Sequence, residues 1–461
     1  MKKLLYAIGL AAAALPVRAQ APVKPFQAED RVVFVGNSIT EAGAYVSYIY
    51  LYYMTHFPGR PIVIMNGGVG GDRAGDIYRR FEYDILAKHP NVIVLTFGMN
   101  DTGYFEFNGD NADAKTKERI DLSHTEYNKI AARLAQLPAV TKIMMASSPY
   151  DETSKFSNTN IFKGKQKAML EVANFQEASA KEHNWGFVDL QRPLTAINER
   201  LQQKDSTFTL IGSDRIHPGN AGHLVMAAQF LKNQGLAGKP VAIVHIDAAS
   251  GKLQQAENCA VSKLAASNNK VSFSYLAQSL PFPIDTVARI WGNPQKQADA
   301  LNWIPFTEEF NQEMLQVKGL AEGDYTLRID GHEIGHWPAS EFAKGINLAL
   351  QPETPQFKQA QSLMTLNMKR AETESRFRSY YWIQGNYLDK RGMRMHDDAA
   401  ALDTVRLYTK TDWALRFHEG NYETAQYKEM RDVWQQEIDT IIKLVYRLNK
   451  PVAHQMEIVK N

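Results

Sequence analysis

Residues 33–40 read Val-Phe-Val-Gly-Asn-Ser-Ile-Thr, an apolar run that stops abruptly at a Gly-Asn-Ser turn. A run of β-branched and aromatic residues closed by glycine predicts a buried strand over residues 32–35. Such a strand delivers a small hydroxyl residue, Ser38, to the carboxyl end of a sheet, where open α/β sheets bind their ligands. Similar apolar runs recur at residues 62–65, 92–97, 142–146 and 186–190. Helical patterns separate them, at 43–56, 75–88, 123–136 and 161–183, with a last one at 220–235. Val- and Ile-rich strands alternating with helices predict right-handed crossovers and a parallel sheet covered on both faces. The expected fold class is α/β, a three-layer flavodoxin-like domain over residues 30–238.

Beyond that segment the pattern changes. Short extended runs at 242–246, 271–275, 314–317 and 325–329, punctuated by Gly319 and Asp330-Gly331, predict a small β-rich module over 239–350. An α-helical C-terminal region is expected over 351–461. One helix should start at Pro355, a residue suited to a first helical turn, and run to about 382. Another is expected over 424–448, where Trp434, Ile438, Ile441 and Val445 recur every three or four positions and must bury against something.

The first 19 residues read as a processing signal. Lys2 and Lys3 precede an apolar stretch at 4–15, Pro16 breaks it, and Val17-Arg18-Ala19 sets small residues at −3 and −1 of a cut after Ala19. The expectation is export, to the periplasm or beyond the cell. The whole chain carries a net charge of +2, but three of its bases and none of its acids lie in the leader. The rest is close to neutral, so no nucleic-acid partner is expected. No interior stretch reaches the ~18 apolar residues of a membrane span. Cys259 is the only cysteine, so no internal disulfide can form.

Three later segments supply what a reactive Ser38 would need: the glycine turn 66–72, Gly98-Met99-Asn100-Asp101, and Asp214-Arg215-Ile216-His217-Pro218. A serine hydroxyl is a poor nucleophile until a base takes its proton, and a carboxylate must hold the imidazole tautomer. Asp214 and His217, three residues apart on one turn, can face the same way. Negative charge also develops on a substrate carbonyl oxygen. The donors on offer for it are the N–H of Ser38, the N–H of Gly71 and the side-chain amide of Asn100.

The four segments together resemble the sequence blocks of the SGNH (GDSL-type) hydrolases over residues 30–238. The resemblance implies Ser38 as nucleophile, His217 as base and Asp214 as its orienting acid. It implies Ser38, Gly71 and Asn100 as the oxyanion hole, with no cofactor. Asn37 stands where the family commonly has Asp, keeping the turn while losing a charge. Met99 and the long C-terminal extension look like an exported bacterial subgroup. One motif points elsewhere: His332-Glu333-Ile334-Gly335-His336 matches a zinc-peptidase pattern. That pattern needs a helix, whereas its neighbours predict a strand, which would hold the two histidines about 13 Å apart.

Family members hydrolyse esters or thioesters of short acyl groups, lipids or decorated sugars. Residues 102–122 are expected to form a long loop walling the pocket. Asn37, Asp101, Tyr104, Phe105 and Tyr150 are candidate pocket residues, since aromatic and polar groups side by side suit a sugar. The expected activity is hydrolysis of short acyl esters, acetyl above all, on a carbohydrate, and the expected partner is a small-molecule or glycan ester substrate. A lysophospholipase or lipid esterase and an inert glycan-binding protein stay open as alternatives.

Overall fold

Strand β1 (Arg31–Gly36) is buried from Val32 to Gly36, and alternate side chains enter different cores. Val32 and Phe34 join one apolar cluster, Val33 and Val35 another on the opposite face. That two-sided burial is why the run is continuously apolar. The structure is a computed structural model that describes residues 21–157, 161–290 and 292–461. The expected leader over 1–19 lies outside the described residues. Strands β2 (Val63–Gly68), β3 (Val92–Leu95), β4 (Thr141–Met145) and β5 (Gly186–Val188) complete a parallel sheet in the order β2-β1-β3-β4-β5. The helices around it are α1 (Ser38–Glu41), α2 (Ala44–His56), α3 (Ala74–Arg79), α4 (Ala112–Ala135), α5 (Lys165–Glu182), α6 (Gln191–Gln202) and α7 (Asn220–Asn233). The flavodoxin-like, three-layer arrangement is the one expected.

Two local readings need correction. Residues 102–122 are not one long loop, because α4 begins at Ala112 after a short 3₁₀ turn at Phe105–Asn108. The first half of α4 is largely solvent-facing and charged, so it shows no apolar stripe to read. Helix α6, with Leu194 and Asn198 buried, was not among the expected elements.

A β-rich module follows. It contains β6 (Ala242–Asp247), β7 (Lys252–Glu257), β8 (Cys259–Ser267), β9 (Lys270–Ala277), β10 (Glu313–Lys318), β11 (Asp324–Ile329), β12 (His332–Pro338), β13 (Ile346–Asn347) and β14 (His454–Lys460), with short helices α8 (Phe306–Phe310) and α9 (Ala339–Lys344). The strands form two sheets, β13-β10-β6-β7 and β12-β11-β14-β9-β8, that share one core including Val244, Phe273, Leu327 and Ile458. Strand β14 changes the expected division. The final residues are not helical but return to the module between β9 and β11, their alternate residues Met456 and Ile458 buried.

Helix α10 (Pro355–Trp382) starts where Pro355 predicts, capped by the Thr354 hydroxyl, which accepts from the Phe357 N–H at 3.3 Å. It runs into a π-helical turn at Ile383–Leu388. Helices α11 (Ala399–Thr409), α12 (Leu415–Ala425) and α13 (Lys428–Leu448) pack behind it. The α13 stripe Trp434, Ile438, Ile441 and Val445 is buried as its spacing requires. Helix α10 lies along the exposed edge of β2 and along α2. The Asn367 amide donates to Ser47 O at 2.8 Å, and Glu374 accepts from the Asn66 N–H at 2.8 Å. An edge strand with free backbone groups invites stray pairing, and here a helix covers it. Among the described residues no helix is long and apolar enough to cross a membrane.

Candidate active site

The register of β1 against β2 sets Gly36 beside Gly68, so the two strands deliver their following turns side by side. At the first turn Asn37 caps α1, its side chain accepting from the Ile39 N–H at 3.1 Å, and Ser38 is the first helical residue. The Ser38 Oγ lies 2.8 Å from His217 Nε2. On the other side of the ring, Nδ1 lies 2.5 Å from Asp214 Oδ2. The second carboxylate oxygen accepts from the N–H groups of Ile216 and His217, each at 2.9 Å. Burial pushes the Asp214 carboxyl up, but the hydrogen bond and charge of His217 and those backbone donors outweigh it and hold it below the usual range. With Nδ1 facing an ionised carboxylate, Nε2 is left as the acceptor for the serine proton.

Arg215 fixes this turn. Its backbone is left-handed, with φ of 66°, a conformation that costs an ordinary residue on the order of 1 kcal/mol. Its fully buried guanidinium holds it there by donating to Asp151 O at 2.9 Å, Ser154 O at 3.0 Å and Ser157 O. A second histidine, His223, lies with His217 along one cavity. Burial, with the nearby His217 charge, pushes its pKa down to about 3, and its Nδ1 accepts from the Tyr45 N–H at 3.2 Å.

The second turn, Val69–Asp72, is closed by Asp72 N–H donating to Val69 O at 3.2 Å. Gly71 has φ of 82°, and its own N–H has no hydrogen-bond acceptor among the described residues. Asn100 reaches this turn, its Nδ2 donating to Asp72 O at 3.0 Å. Its Oδ1 accepts from the Tyr104 hydroxyl at 2.8 Å. A backbone carbonyl can only accept, so the amide's orientation is set and its second N–H is left free. Beneath this segment lies the fully buried Lys165. Its ammonium donates to Met99 O at 2.7 Å, Thr102 Oγ1 at 2.8 Å and Gly103 O, and lies 4.0 Å from the Tyr104 ring centroid. Burial pushes its pKa down to about 7.

The other candidate pocket residues fall elsewhere. Asp101 faces inward, accepting from Ala74 N–H and Gly98 N–H at 2.9 Å and from the Ser123 hydroxyl at 2.8 Å. Asn37 is buried as a helix cap. Tyr150 is 1% exposed, its hydroxyl accepting from the Phe162 N–H at 3.1 Å. Phe105 is 82% exposed, edge-on to Phe162. Of that group Tyr104 is the one whose side chain hydrogen-bonds to a member of the Ser38–Gly71–Asn100 constellation. For Asp101, Asn37 and Tyr150 the direction of the side chain is set by turn bracing or packing.

A cavity of about 670 Å³ opens beside His217, lined by Ile39, Ala42, His223, Arg289 and Ile290. A second, of about 620 Å³, adjoins it across Ala42, Arg289 and Ile290 and reaches Tyr48, Leu51, Met364 and Met368. Helix α10 supplies its far wall. Glu41 also lines this cavity. Burial pushes its carboxyl up to about 7, against the opposing charges of Arg378, Arg80 and His217 and a hydrogen bond from the Gly70 N–H. His332 and His336 lie on strand β12, where His336 Nδ1 meets Thr326 Oγ1 at 2.9 Å. Among the described residues no group of three or more His, Cys, Asp or Glu side chains is arranged to hold a metal ion.

Residues 34–225 match the family model of the GDSL-like lipases and acylhydrolases, and residues 361–450 match that of the diltiazem deacetylase C-terminal helical domain. The chain belongs to the SGNH (GDSL-type) hydrolase family and is a carboxylic ester hydrolase. A gut microbial diltiazem-metabolizing enzyme is 43% identical in sequence, with a TM-score of 0.93 over 96% of this chain and 100% of its own. An acetylxylan esterase of Geobacillus stearothermophilus is 25% identical over 221 residues, which are 45% of this chain and 94% of that protein.

Lys165, Arg215, Trp382 and Asn386 escaped the sequence reading. The last two donate to Gly70 O, in the Gly71 turn, from more than 300 residues away.

Proposed function

We propose that this chain is an exported serine esterase that removes acetyl or similarly short acyl groups from hydroxyls of a carbohydrate. The observation that carries the reading is the unbroken relay from Asp214 through His217 to Ser38, at 2.5 and 2.8 Å. Ser38 Oγ attacks the ester carbonyl while His217 Nε2 takes its proton. The oxyanion that forms accepts from the N–H of Ser38, the N–H of Gly71 and Asn100 Nδ2. As the tetrahedral intermediate collapses, His217 returns the proton to the departing alkoxide, leaving Ser38 acylated. Water, deprotonated by His217, then attacks the acyl-enzyme, and the carboxylic acid and free serine result. Export rests on the basic start, short apolar stretch and small-residue cut of residues 1–19.

A second reading of the alcohol half is favoured by the cavity beside α10. Its wall of Tyr48, Leu51, Met364 and Met368 suits a partly apolar ring system better than a sugar face. The relative that metabolizes diltiazem, and the helical-domain match, support the same direction. The experiment is acetate release from acetylated xylan, from diltiazem and from 4-nitrophenyl acetate, with Ser38→Ala and His217→Ala as blanks. Ser38-dependent hydrolysis of the chromogenic ester is expected, and equal rates in the wild type and Ser38→Ala reject the mechanism. The better of the two larger substrates decides between a sugar and an apolar alcohol. Faster turnover of long acyl chains than of acetyl would favour a lipid esterase instead.

A further inference from the structure

The turn that carries Gly71 is of a type that its own sequence specifies weakly. In Val69–Asp72 the first central residue, Gly70, is not left-handed, while the second, Gly71, has φ of 82°. With the 3.2 Å bond closing it, this is a type II β-turn. Types I and II differ by a rotation of the central peptide through about half a turn, which reverses the directions of its C=O and N–H. Here that peptide joins Gly70 to Gly71. Glycine at both central positions leaves no Cβ to favour one orientation. The N–H that would reverse is the Gly71 donor of the proposed oxyanion hole.

The C-terminal region grips the other end of this same peptide. Trp382 Nε1 donates to Gly70 O at 3.1 Å, and Asn386 Nδ2 donates to it at 3.3 Å. The two donors come from the junction of α10 with its π-helical turn, a kind of irregularity that recurs at functional sites. The indole is clamped in turn. It stacks on His418 of α12 with centroids 4.3 Å apart, and His418 Nδ1 lies 3.3 Å from Ser379 Oγ. From the hydrolase side the Glu41 carboxylate lies against Gly70. A Cβ on residue 70 would lie 2.7 Å from Glu41 Oε2, so a side chain there would have to displace that carboxylate, and it would rest against the indole at 3.6 Å.

We propose that Trp382 and Asn386 are positioning residues of the esterase, holding the Gly70–Gly71 peptide in the orientation that aims the Gly71 N–H at the oxyanion. In a trans peptide C=O and N–H point oppositely, so two donors fixed on Gly70 O fix the opposite direction of Gly71 N–H. Hydrogen bonds to that carbonyl also polarise the peptide and strengthen its N–H as a donor. The C-terminal helical region thereby helps to set the catalytic geometry besides covering a sheet edge. This inference rests on the serine-esterase reading above.

The test compares the wild type with Trp382→Phe, Asn386→Ala and the double variant on 4-nitrophenyl acetate. It also measures inhibition by phenylboronic acid, whose tetrahedral adduct on serine places an oxygen where the oxyanion forms. Each single variant is expected to lower kcat about 3- to 10-fold, the worth of one hydrogen bond. The double variant should fall about 10- to 100-fold, short of the 10²–10³ of a lost donor. KM should stay within about twofold, and boronate inhibition should weaken by the same factor as kcat/KM falls, because only interactions made in the transition state move both. A double variant that keeps kcat within about twofold of wild type overturns the proposal; so does a loss confined to KM or to thermal stability with boronate inhibition unchanged. Asn386→Ala leaves the indole–imidazole stack in place and gives the same reading if the tryptophan variants fold poorly. Hydrolysis that survives Ser38→Ala in an otherwise wild-type chain would instead remove the serine-nucleophile reading on which the inference rests.

Discussion

Tyr104→Phe deletes one oxygen atom and isolates what orients Asn100. The Asn100 side chain makes two contacts, Nδ2 to Asp72 O at 3.0 Å and Oδ1 from the Tyr104 hydroxyl at 2.8 Å. Removing the hydroxyl leaves the amide held at one point and free to swing its second N–H away from the oxyanion. The ring stays, packed over Lys165 at 4.0 Å and edge-on to Phe162 at 5.6 Å, so the pocket wall is unchanged. A single net hydrogen bond of about 0.5–1.5 kcal/mol corresponds to about 2- to 12-fold in kcat. Asn100→Ala removes the donor itself and should cost about 10²–10³. The two effects must not multiply, because a tyrosine that works only through Asn100 has nothing to orient once the amide is gone. The assay is steady-state hydrolysis of 4-nitrophenyl acetate by the four proteins of the double-mutant cycle. Tyr104→Phe should lower kcat with KM unchanged, and the double variant should match Asn100→Ala alone. If the tyrosine loss persists in full on the Asn100→Ala background, Tyr104 acts on the substrate directly and this reasoning fails.

Two further perturbations probe how the extension is held. Glu313 is 1% exposed, accepting from the Tyr275 hydroxyl at 2.8 Å and the Gln356 amide at 2.9 Å, and burial pushes its pKa up to about 7. From about 4.5 to 7 the folded chain keeps that proton while the unfolded chain releases it, so stability falls with rising pH through this window and is flat above it. Glu313→Gln, neutral throughout, should gain about 3 kcal/mol on the wild type between pH 4 and pH 8 in urea unfolding, and parallel pH profiles would refute the assignment. Arg378 meets Asp84 with both guanidinium Nη atoms at 3.0 Å, both side chains fully buried. Arg378→Met should cost about 3 kcal/mol, the low end for breaking a buried pair, because Arg80 and Lys88 still face Asp84. An unchanged urea midpoint would show that this pair does not fasten α10 to the hydrolase domain.

The parts of the site legible in the sequence share a location. Ser38, Gly71 and Asn100 each follow an apolar run that ends in glycine, so strand ends and turn residues announce them together. The Asp214–His217 pair is local, and three residues of spacing carry it. The start of helix α10 was readable because Pro355 marks it. What could not be read acts across long separations: Lys165 reaches under Met99, and Arg215 ties down carbonyls some 60 residues back. Nothing in a neighbouring residue signals such a contact. The C-terminal strand is a different kind of miss. Its alternation of Met456 and Ile458 with polar residues was present but short, and it followed a long helix that invited continuation.

The buried charges between the two regions explain why the extension is fused so tightly to the hydrolase sheet. Burial pushes the Asp84 carboxyl up, yet Arg378, Lys88 and Arg80 outweigh it and hold it well below the usual range. Arg80 does not stop at Asp84, to which its Nη1 donates at 2.6 Å. Its Nε donates to Asp72 Oδ2 at 2.6 Å and its Nη2 to Gly36 O at 3.2 Å. One guanidinium therefore braces the residue before Asn37, the residue after Gly71 and, through Asp84, helix α10. A hydrophobic contact of equal area could bury the same surface at lower desolvation cost. It could not fix the relative angle of two turns, because apolar packing has no direction. Fixed directions are what the Ser38 hydroxyl and the Gly71 N–H need if they are to meet one carbonyl carbon and its oxygen, and Arg80 supplies them through Gly36 and Asp72 while Trp382 and Asn386 supply them through Gly70 O.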